Sequence, residues 1–443
     1  MGRDGRTAAA PTRAGFDAWW TLTVVSSLYV ASYLNRFIVT MVVPDMKASL
    51  LLSDFQVGMI LGPAFAVSYA VAGVPLGWLA DHYSRRMVIL GGTILFAAAT
   101  AASGLAGSFV AMLALRICVG IGESSLSPAA LSLIAQKFPR ERLTTAISVF
   151  SMGPKMGTAF AFALGGIVVG GAAYATRTLP TLRAVEPWRL AFAITAIPSL
   201  FIGLLCLTFR EPGHPDAAAG RVGSGGDSVV RFLVAQRRLM IPMLGGFGLL
   251  LICGQSLISW VPSYLQRQFH WEPVSYGPVL GLISTVGAAS LVVKGMIMDR
   301  LFARGIRDIH IRFYTWLLIA TCPITVAAFL VQGRVAFVLC YAVAGVITIP
   351  CLAYASVAIQ MIAPPTLRGR VFAVFSIPLA LLGGLGPPLV GAITDYVFHD
   401  EARLGWALSI LLGTAIPLAI VALRVCLPAL RQAIDANDPA RQL

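Results

Sequence analysis

Residues 77–86 read G-W-L-A-D-H-Y-S-R-R and lie between two apolar stretches of the chain. The stretches 55–79 and 87–106 are each long enough to cross a lipid bilayer, and only this short charged segment separates them. Two membrane helices joined so closely must run antiparallel, because the second has to return through the membrane. The pattern therefore predicts a helical hairpin with a charged loop at one membrane surface.

Four residues of this segment suit particular tasks at a helix end. Gly77 allows the backbone of a neighbouring helix to approach closely, and Arg85 and Arg86 are typical of a cytoplasmic loop. Asp81 offers a carboxylate that the positive N-terminal end of another helix can hold. We predict that these residues control a conformational change, and that Asp81 pairs in the outward-open state with donors at the start of the eleventh span, around Arg368.

A weaker copy of the segment follows about half a chain later, at Gly295, Asp299, Arg300 and Arg304. Internal repetition of this kind is typical of transporters built from two homologous halves. Written as G-x-L-A-D-x-x-x-R-R, the first copy resembles the loop 2–3 signature of the major facilitator superfamily. The resemblance implies an all-α polytopic membrane protein, with twelve helices in two six-helix halves around a central cavity, and a gating role for both copies.

The composition is that of a membrane protein with several spans. The chain has 443 residues, of which 58% are hydrophobic and only 12% are charged, and its mean hydropathy is +0.82. A net charge of +14 would indicate a nucleic-acid partner in a soluble protein. Most of these lysines and arginines fall in alternate loops, which sets the orientation of a membrane protein, so no nucleic-acid partner is expected.

Several classes of chemistry lack their sequence patterns. The seven cysteines lie in apolar runs without a C-x-x-C pair, which argues against a metal site and a disulfide framework, and no cofactor is expected. No G-x-x-x-x-G-K-[ST] segment is present, so the chain does not itself use ATP to drive transport. None of the five histidines lies near the centre of a span or in a catalytic pattern, which argues against an enzyme.

Apolar runs of bilayer length predict twelve spans, six in each half of the chain. The positive charge of alternate loops predicts that both termini face the cytoplasm. A bacterial inner membrane is the expected location, because the chain has no sequon and no long extracytoplasmic domain. The predicted spans are 19–43, 55–79, 87–106, 109–136, 143–170, 190–209, 240–265, 276–298, 313–331, 335–362, 371–398 and 404–427.

The spans divide the chain into five predicted segments. The connection between the halves begins with a stretch rich in Gly, Pro and Ala, which should be flexible. Residues 229–238 are apolar and basic, which is typical of a surface helix. The predicted segments are an N-terminal tail 1–16, a six-helix bundle 17–209, a cytoplasmic linker 210–238, a second bundle 239–428 and a C-terminal tail 429–443.

Four charged residues lie well inside predicted spans, namely Arg36, Arg116, Glu123 and Lys155. Each costs roughly 2.5–3.5 kcal/mol on insertion scales, which makes each a candidate functional residue. The helix rise places both arginines about 10 Å from the outer surface, and Glu123 and Lys155 near the midplane. An ion-pair network that only fixes helix packing stays open as an alternative.

Polar residues at helical spacing place these charges on stripes that are expected to line one cavity. Three cations and one carboxylate sum to +2, which favours a substrate with an anionic head group. The matching spans of the second half carry polar residues but no acid at depth. The predicted substrate site comprises Arg36, Arg116, Lys155, Tyr29, Ser127, Gln255 and Tyr354.

Three segments together resemble the spinster branch of the superfamily. They are R-I-C-V-G-I-G-E-S-S-L-S-P-A-A-L-S-L-I-A-Q-K at 116–137, Y-L-N-R at 33–36 and E-P-W-R at 186–189. The resemblance implies a substrate such as a lysophospholipid or a sphingoid-base phosphate. That branch usually has Asp where this chain has Asn35. We therefore predict that Glu123 couples transport to protons, with Lys155 as its partner when the substrate is absent.

These observations predict a monomeric secondary active transporter that works by alternating access and is coupled to protons. Its expected partners are a small-molecule or lipid substrate, protons and the lipid bilayer. A proton-coupled transporter of small organic anions and a drug/proton antiporter stay open as alternatives. A non-transporting membrane receptor is the alternative from a different class of protein.

Overall fold

The computed structural model of the protein is all-helical over the residues that it describes, 15–212, 226–306, 308–347, 351–364 and 367–436. Eleven helices in these ranges are long and apolar enough to cross a membrane. A twelfth apolar segment consists of two described pieces, Arg334–Ile347 and Cys351–Ile362. The predicted all-α polytopic fold, with two six-helix halves and a central cavity, is confirmed.

The spans of the first half are numbered α1 to α6, and two of them are interrupted. A short helix, Val43–Leu50, follows α1, and the helical turns Pro180–Leu182 and Leu205–Leu207 flank α6. The spans are α1 Phe16–Met41, α2 Asp54–Leu61 and Pro63–His82, α3 Arg85–Ser103, α4 Phe109–Ser124 and Leu126–Lys137, α5 Arg140–Thr178, and α6 Pro187–Leu204.

The spans of the second half are numbered α7 to α12. The surface helix predicted before the seventh span is present at Gly226–Ala235, and a helical turn, Glu401–Arg403, precedes α12. The spans are α7 Arg237–Phe269, α8 Pro273–Ala303, α9 Ile309–Ala327, α10 Arg334–Ile347 and Cys351–Ile362, α11 Arg368–Gly384, Gly386–Ala392 and the π-helical Ile393–Phe398, and α12 Leu404–Ala436.

Some helices continue beyond the ends that hydropathy predicts. The predicted tail 429–443 begins inside α12, which ends at Ala436. Hydropathy marks only the part of a helix in the hydrocarbon region, whereas Ala, Arg and Gln readily continue it into water. The extension is held by Arg431, whose Nε donates a hydrogen bond to Asp308 Oδ2 at 2.7 Å.

The two halves approach each other through glycines. We call the face where α1 begins and α12 ends the terminal face, and the other the opposite face. A Cβ built at Gly62, where α2 is interrupted, would lie 2.1 Å from Gly384 O of α11. Nearer the opposite face, a Cβ built at Gly166 of α5 would lie 2.2 Å from Pro273 O of α8. Only glycine allows these helices to meet so closely.

The glycines of the repeated segment show no such approach at the terminal face. A Cβ built at Gly77 would lie 4.0 Å from Pro128 Cβ, which belongs to the same half. At Gly295 of α8, no described atom lies within 4 Å of a built Cβ. The halves are thus packed together at the opposite face and apart at these two terminal-face positions, as in a transporter open toward the terminal face.

Candidate functional site

A cavity of about 330 Å³ lies between the two halves, next to the interruptions of α2 and α11. Helices α1, α2 and α4 supply its charged and aromatic residues, and α7 and α11 supply polar and small ones. Of the predicted substrate-site residues, three line it: Tyr29, Arg36 and Gln255. The proton-coupling candidate Glu123 lines it too. Three further lining residues, Phe65, Tyr69 and Ser376, were given no role by the sequence analysis. The sequence shows that they lie in helices but does not show which way each side chain faces.

Aromatic rings surround the Arg36 guanidinium. Its Cζ lies 3.8 Å from the ring centroid of Phe65, 5.4 Å from that of Phe37 and 5.7 Å from that of Tyr33. Each cation–π contact contributes about 0.5–2 kcal/mol, more as water is removed. Among the described residues, Arg36 donates no hydrogen bond and forms no ion pair. The N–H donors of Arg36 are therefore available to the cavity, while the surrounding rings hold the guanidinium in place.

Glu123 is a buried carboxylate to which none of the described residues donates a hydrogen bond. It is 4% exposed, and its Oε1 accepts no hydrogen bond from any described residue. The charges that act on it are those of Arg36 and Arg116, yet neither lies within ion-pair distance. A buried carboxylate without a partner is costly. A proton or a donor from a ligand would remove that cost.

Arg116 does not line the cavity, which corrects the prediction that it contacts the substrate beside Arg36. It is 2% exposed, its Nε and Nη2 have no described partner, and its Cζ lies 5.0 Å from the ring centroid of Phe192 in α6. Arg116 precedes Glu123 by two helical turns, about 10 Å along α4, so it lies where the halves are packed together. The cavity lining thus carries one cation and one carboxylate rather than a charge of +2.

Lys155 lies in a different cavity lining from Glu123, and the predicted pairing of the two residues is not formed in this conformation. It lines a second cavity of about 80 Å³ between α5 and helices α7, α8 and α10. The neighbouring Gly153 and Gly157 face α1, since built Cβ atoms there would lie 3.1 Å from Tyr29 and 2.6 Å from Tyr33. A residue two positions from Gly153 points to the other side of a helix.

Two other predicted substrate contacts are also absent from the central cavity. Ser127 lies beside the hydroxyl of Tyr29, which itself stacks on Phe150 with 4.8 Å between ring centroids. Tyr354 is buried and stacks on Tyr314 of α9 at 4.5 Å. Neither residue is part of the lining of the central cavity.

The loop between α2 and α3 is tied to its own half. Arg85 donates from Nη1 to Gln136 Oε1 at 2.7 Å and from its backbone N–H to Glu211 Oε1 at 2.6 Å. Arg86 donates to Phe209 O at 3.3 Å. Asp81 is exposed and bonds to no described residue. Sequence reasoning missed Glu211, whose carboxylate sits at the positive N-terminal end of α3.

The second copy of the segment makes similarly few contacts. Asp299, Arg300 and Arg304 are exposed at the terminal-face end of α8. Arg368, at the start of α11, donates from Nε to Ala363 O at 3.1 Å. Neither copy reaches the other half in the part of the chain that the structure describes. The predicted contact between Asp81 and α11 is therefore not formed in this conformation, and the gating role stays a prediction.

A cluster of ionic contacts closes the opposite face, and sequence reasoning missed it. Asp54 is fully buried and accepts from Lys47 Nζ at 2.5 Å and from two Arg267 nitrogens at 2.8 Å each. The Asp395 carboxylate of α11 accepts from the backbone N–H groups of Asp54 and Phe55, at 3.2 and 2.7 Å. The signal available in the sequence was S-D-F-Q at 53–56, a helix start with a capping box.

The E-P-W-R segment has a structural task at the same face. Arg189 donates to Gly104 O at 3.1 Å and to Ala106 O at 2.8 Å, which satisfies carbonyls at the end of α3. Glu186 accepts from Ser49 at 2.8 Å and from Arg189 at 2.7 Å. These bonds hold the pKa of the Glu186 carboxyl below its usual range. The segment joins α6 to the loop between α3 and α4.

The architecture agrees with a known family of membrane proteins. The model of the Major Facilitator Superfamily matches residues 25–387, which is most of the chain. The chain belongs to the Major Facilitator Superfamily. Its fold is similar to that of a solved bacterial homologue of the human lysosomal transporter Spinster, in an inward-facing and unoccupied conformation. That match has a TM-score of 0.81 and 22% identity, and it covers 96% of this chain and 99% of the other.

Curated relatives of this major facilitator chain are transport proteins. An MFS-type efflux pump of Mycolicibacterium smegmatis is 26% identical over 96% of this chain and 95% of its own length. A sphingosine-1-phosphate transporter of Danio rerio is 27% identical over 61% of this chain and 55% of its own length. The resemblance to the spinster branch is confirmed. The chain is a multi-pass membrane transporter and not an enzyme.

Proposed function

We propose that this major facilitator chain moves an amphiphile with an anionic head group, such as a lysophospholipid or a sphingoid-base phosphate, by alternating access coupled to protons. The central cavity is the observation that supports this proposal best. It combines the guanidinium of Arg36, which packs against aromatic rings, with the buried carboxylate of Glu123, and its walls are otherwise largely apolar. Sphingosine-1-phosphate, for which the Danio rerio relative is named, has the same chemistry.

Arg36 is the proposed head-group ligand. A guanidinium presents a planar fork that binds phosphate or carboxylate through two parallel hydrogen bonds. The rings of Tyr33, Phe37 and Phe65 hold that fork without using its donors. Apolar and aromatic side chains around it would pack against the chain of the amphiphile.

Glu123 is the proposed proton-coupling residue, with Arg36 in the place that the sequence suggested for Lys155. Burial favours the neutral form of Glu123, whereas the positive charges of Arg36 and Arg116 favour its ionised form while the cavity is empty of anion. An anion bound to Arg36 would offset that charge, so Glu123 would take up a proton. Substrate and proton binding would then be linked in both directions.

The terminal face is proposed to be cytoplasmic, which makes this conformation inward-facing. The loops on this face carry most of the lysines and arginines, as expected for the inner side of a membrane. Both termini would then lie in the cytoplasm and the chain in a bacterial inner membrane, as a monomer. This orientation does not depend on whether Lys155 and Glu123 are paired.

Reconstituted flux tests the proposal. Liposomes that contain only this protein should take up radiolabelled sphingosine-1-phosphate, faster when a pH gradient is imposed. Sphingosine, which lacks the anionic head group, and glucuronate, which lacks the apolar chain, are the matched controls. Uptake of glucuronate instead would favour a transporter of small organic anions. Binding without any flux would favour a receptor.

A further inference from the structure

The second half of the molecule lines the central cavity with uncharged residues, and two polar ones lie on α7. Gln255 and Ser259, which we call the α7 pair, both line the cavity. They are four positions apart, so they share one face of the helix. The charged lining residues, Arg36 and Glu123, come from the first half. A ligand in the cavity therefore meets charges from one half and uncharged hydrogen-bonding groups from the other.

The α7 pair does not use its polar atoms within the part of the chain that the structure describes. No described residue exchanges a hydrogen bond with the Gln255 amide or the Ser259 hydroxyl, although Ser259 is only 4% exposed. The two other aliphatic hydroxyls of the lining, those of Thr40 and Ser376, donate to carbonyls of their own helices at 2.8 and 2.7 Å. A buried polar group without a partner is costly. The α7 pair thus keeps donors and acceptors available to a ligand.

Contacts with α11 fix the rotation of α7 and with it the direction of the α7 pair. Trp260 donates from Nε1 to Pro387 O at 2.9 Å. Two turns earlier, Ile252 meets the same segment of α11, since a Cβ built at Gly386 would lie 2.3 Å from Ile252 O. Residues eight positions apart share a helix face, so this face of α7 is held by α11. The adjacent face, which carries the α7 pair, is turned toward the cavity.

A hydrogen bond between the halves sets the height of the α7 pair relative to Arg36. Gln266 Nε2 donates to Met41 O at 3.0 Å, which places these residues of α7 and α1 close to one level. Both helices run from the terminal face to the opposite face. Counted from that level at about 1.5 Å per residue, Ser259 lies about 3 Å and Gln255 about 9 Å nearer the terminal face than Arg36.

We propose that the α7 pair binds a hydroxyl group that stands next to the anionic group of the transported amphiphile. The inference rests on the proposed function, in which Arg36 holds the anionic group. With the opposite face closed, the rest of the ligand extends from Arg36 toward the open terminal face, past Ser259 and then Gln255. A hydroxyl both donates and accepts, as do a serine hydroxyl and a glutamine amide. The substrate class is thereby narrowed to amphiphiles with a hydroxyl between the anion and the apolar chain.

Two ligands that differ by one hydroxyl test this subsite. The probes are lauroyl lysophosphatidic acid and its deoxy analogue, which lacks the glycerol hydroxyl. The affinity of each is measured for the full chain in nanodiscs of phosphatidylcholine, which carries no net charge. We expect the unmodified chain to prefer the hydroxylated probe by about threefold to tenfold, the contribution of one hydrogen bond. Ser259→Ala and Gln255→Leu should each reduce this preference, and the double variant should bind both probes alike.

Ser256→Ala is the matched control and should keep the preference. Ser256 lies on the same helix, donates to Ile252 O at 2.8 Å and does not line the cavity. Each variant is judged by the ratio of its two affinities, so a loss of active protein cancels. Equal affinity of the unmodified chain for both probes would overturn the inference, as would a preference that survives in the double variant.

Flux of the same two probes into liposomes separates this inference from the proposed function. A hydroxyl preference in binding, without flux of either probe, would refute the proposed function and leave the α7 pair as a binding subsite. Flux of both probes with equal affinities would refute the subsite and leave the proposed function standing. If neither probe binds, both proposals fail.

Discussion

Asp54 at the start of α2 and Arg267 near the end of α7 form a bidentate ion pair that joins the two halves, with both N–O distances at 2.8 Å. Lys47 binds the same carboxylate, and Asp395 of α11 accepts from the backbone N–H of Asp54. One residue of the first half therefore contacts two helices of the second. Alternating access requires these contacts to break each time the opposite face opens.

Asp54→Asn should shift the population toward conformations open at the opposite face. Removing one member of a buried ion pair typically costs about 3–5 kcal/mol, because the partners are left without compensation. Conformations of such proteins differ by only a few kcal/mol. Spin labels placed with a non-native amino acid at the exposed Leu105 and Glu272 should report longer distances in the variant.

Glu401→Gln is the control for that experiment. The Glu401 carboxylate also binds Lys47, at 2.7 Å, but its side chain is 60% exposed. Exposed ion pairs contribute about 0.2–1 kcal/mol, so this variant should leave the distances nearly unchanged. Equal distance distributions in Asp54→Asn and the unmodified chain would contradict a clamp at Asp54.

Asp81→Asn should increase the population that is open at the terminal face, which is the conformation described here. The carboxylate is exposed in this conformation and is predicted to bind the N-terminal end of α11 only in the other one, for about 0.3–2 kcal/mol. Spin labels at the exposed Arg142 and Ala303 measure the opening. Glu141→Gln, on the same face, is the control. The latch is refuted if Asp81→Asn leaves the Arg142–Ala303 distances as they were.

Arg36→Lys and Arg36→Ala should both weaken the binding of dodecyl phosphate in the central cavity, by about tenfold or more. Lysine keeps the charge but lacks the planar fork and stacks less well on the rings around it. Phe65→Leu should weaken binding by a smaller factor, since it removes the ring at 3.8 Å and leaves the guanidinium in place. Unchanged affinity in both Arg36 variants would return Arg36 to a packing role.

Glu123→Gln should abolish transport driven by a pH gradient but keep substrate exchange at equal pH on both sides of the membrane. The amide cannot release or take up a proton, while the Arg36 fork that binds the substrate remains. Flux in reconstituted liposomes separates the two activities. Gradient-driven transport that persists in Glu123→Gln would exclude this residue as the coupling site.

Glu186→Gln should lower the free energy of unfolding near neutral pH and make that free energy depend less on pH. Bonds from Ser49 and Arg189 lower the pKa of the Glu186 carboxyl in the folded protein. Its contribution to the free energy of unfolding is therefore fully present above the unfolded pKa of about 4.3, and it is lost as the pH falls through the folded pKa. The side chain is partly exposed, so the effect is about 0.2–1 kcal/mol. Thermal unfolding from pH 7 to pH 3 should show the two proteins converging.

Hydropathy and loop charge were sufficient to predict the spans, because a lipid bilayer requires about 20 apolar residues from every helix, whatever it packs against. The same physics marked Arg36 and Glu123, since a charge at depth is costly wherever it faces. Residue spacing along one helix also placed Arg116 and Glu123 on a common stripe. None of these signals depends on the neighbouring helices.

The sequence by itself therefore determined the fold class, the repeated halves and the set of intramembrane charges. Only the tertiary structure decided which charges share a cavity, because that depends on the rotation and axial position of each helix against its neighbours. Gly153 and Gly157 turn α5 so that Lys155 faces α8 and not Glu123. The ion pair of Asp54 with Arg267 likewise joins residues more than two hundred positions apart, and only the packing of the two halves brings them into contact.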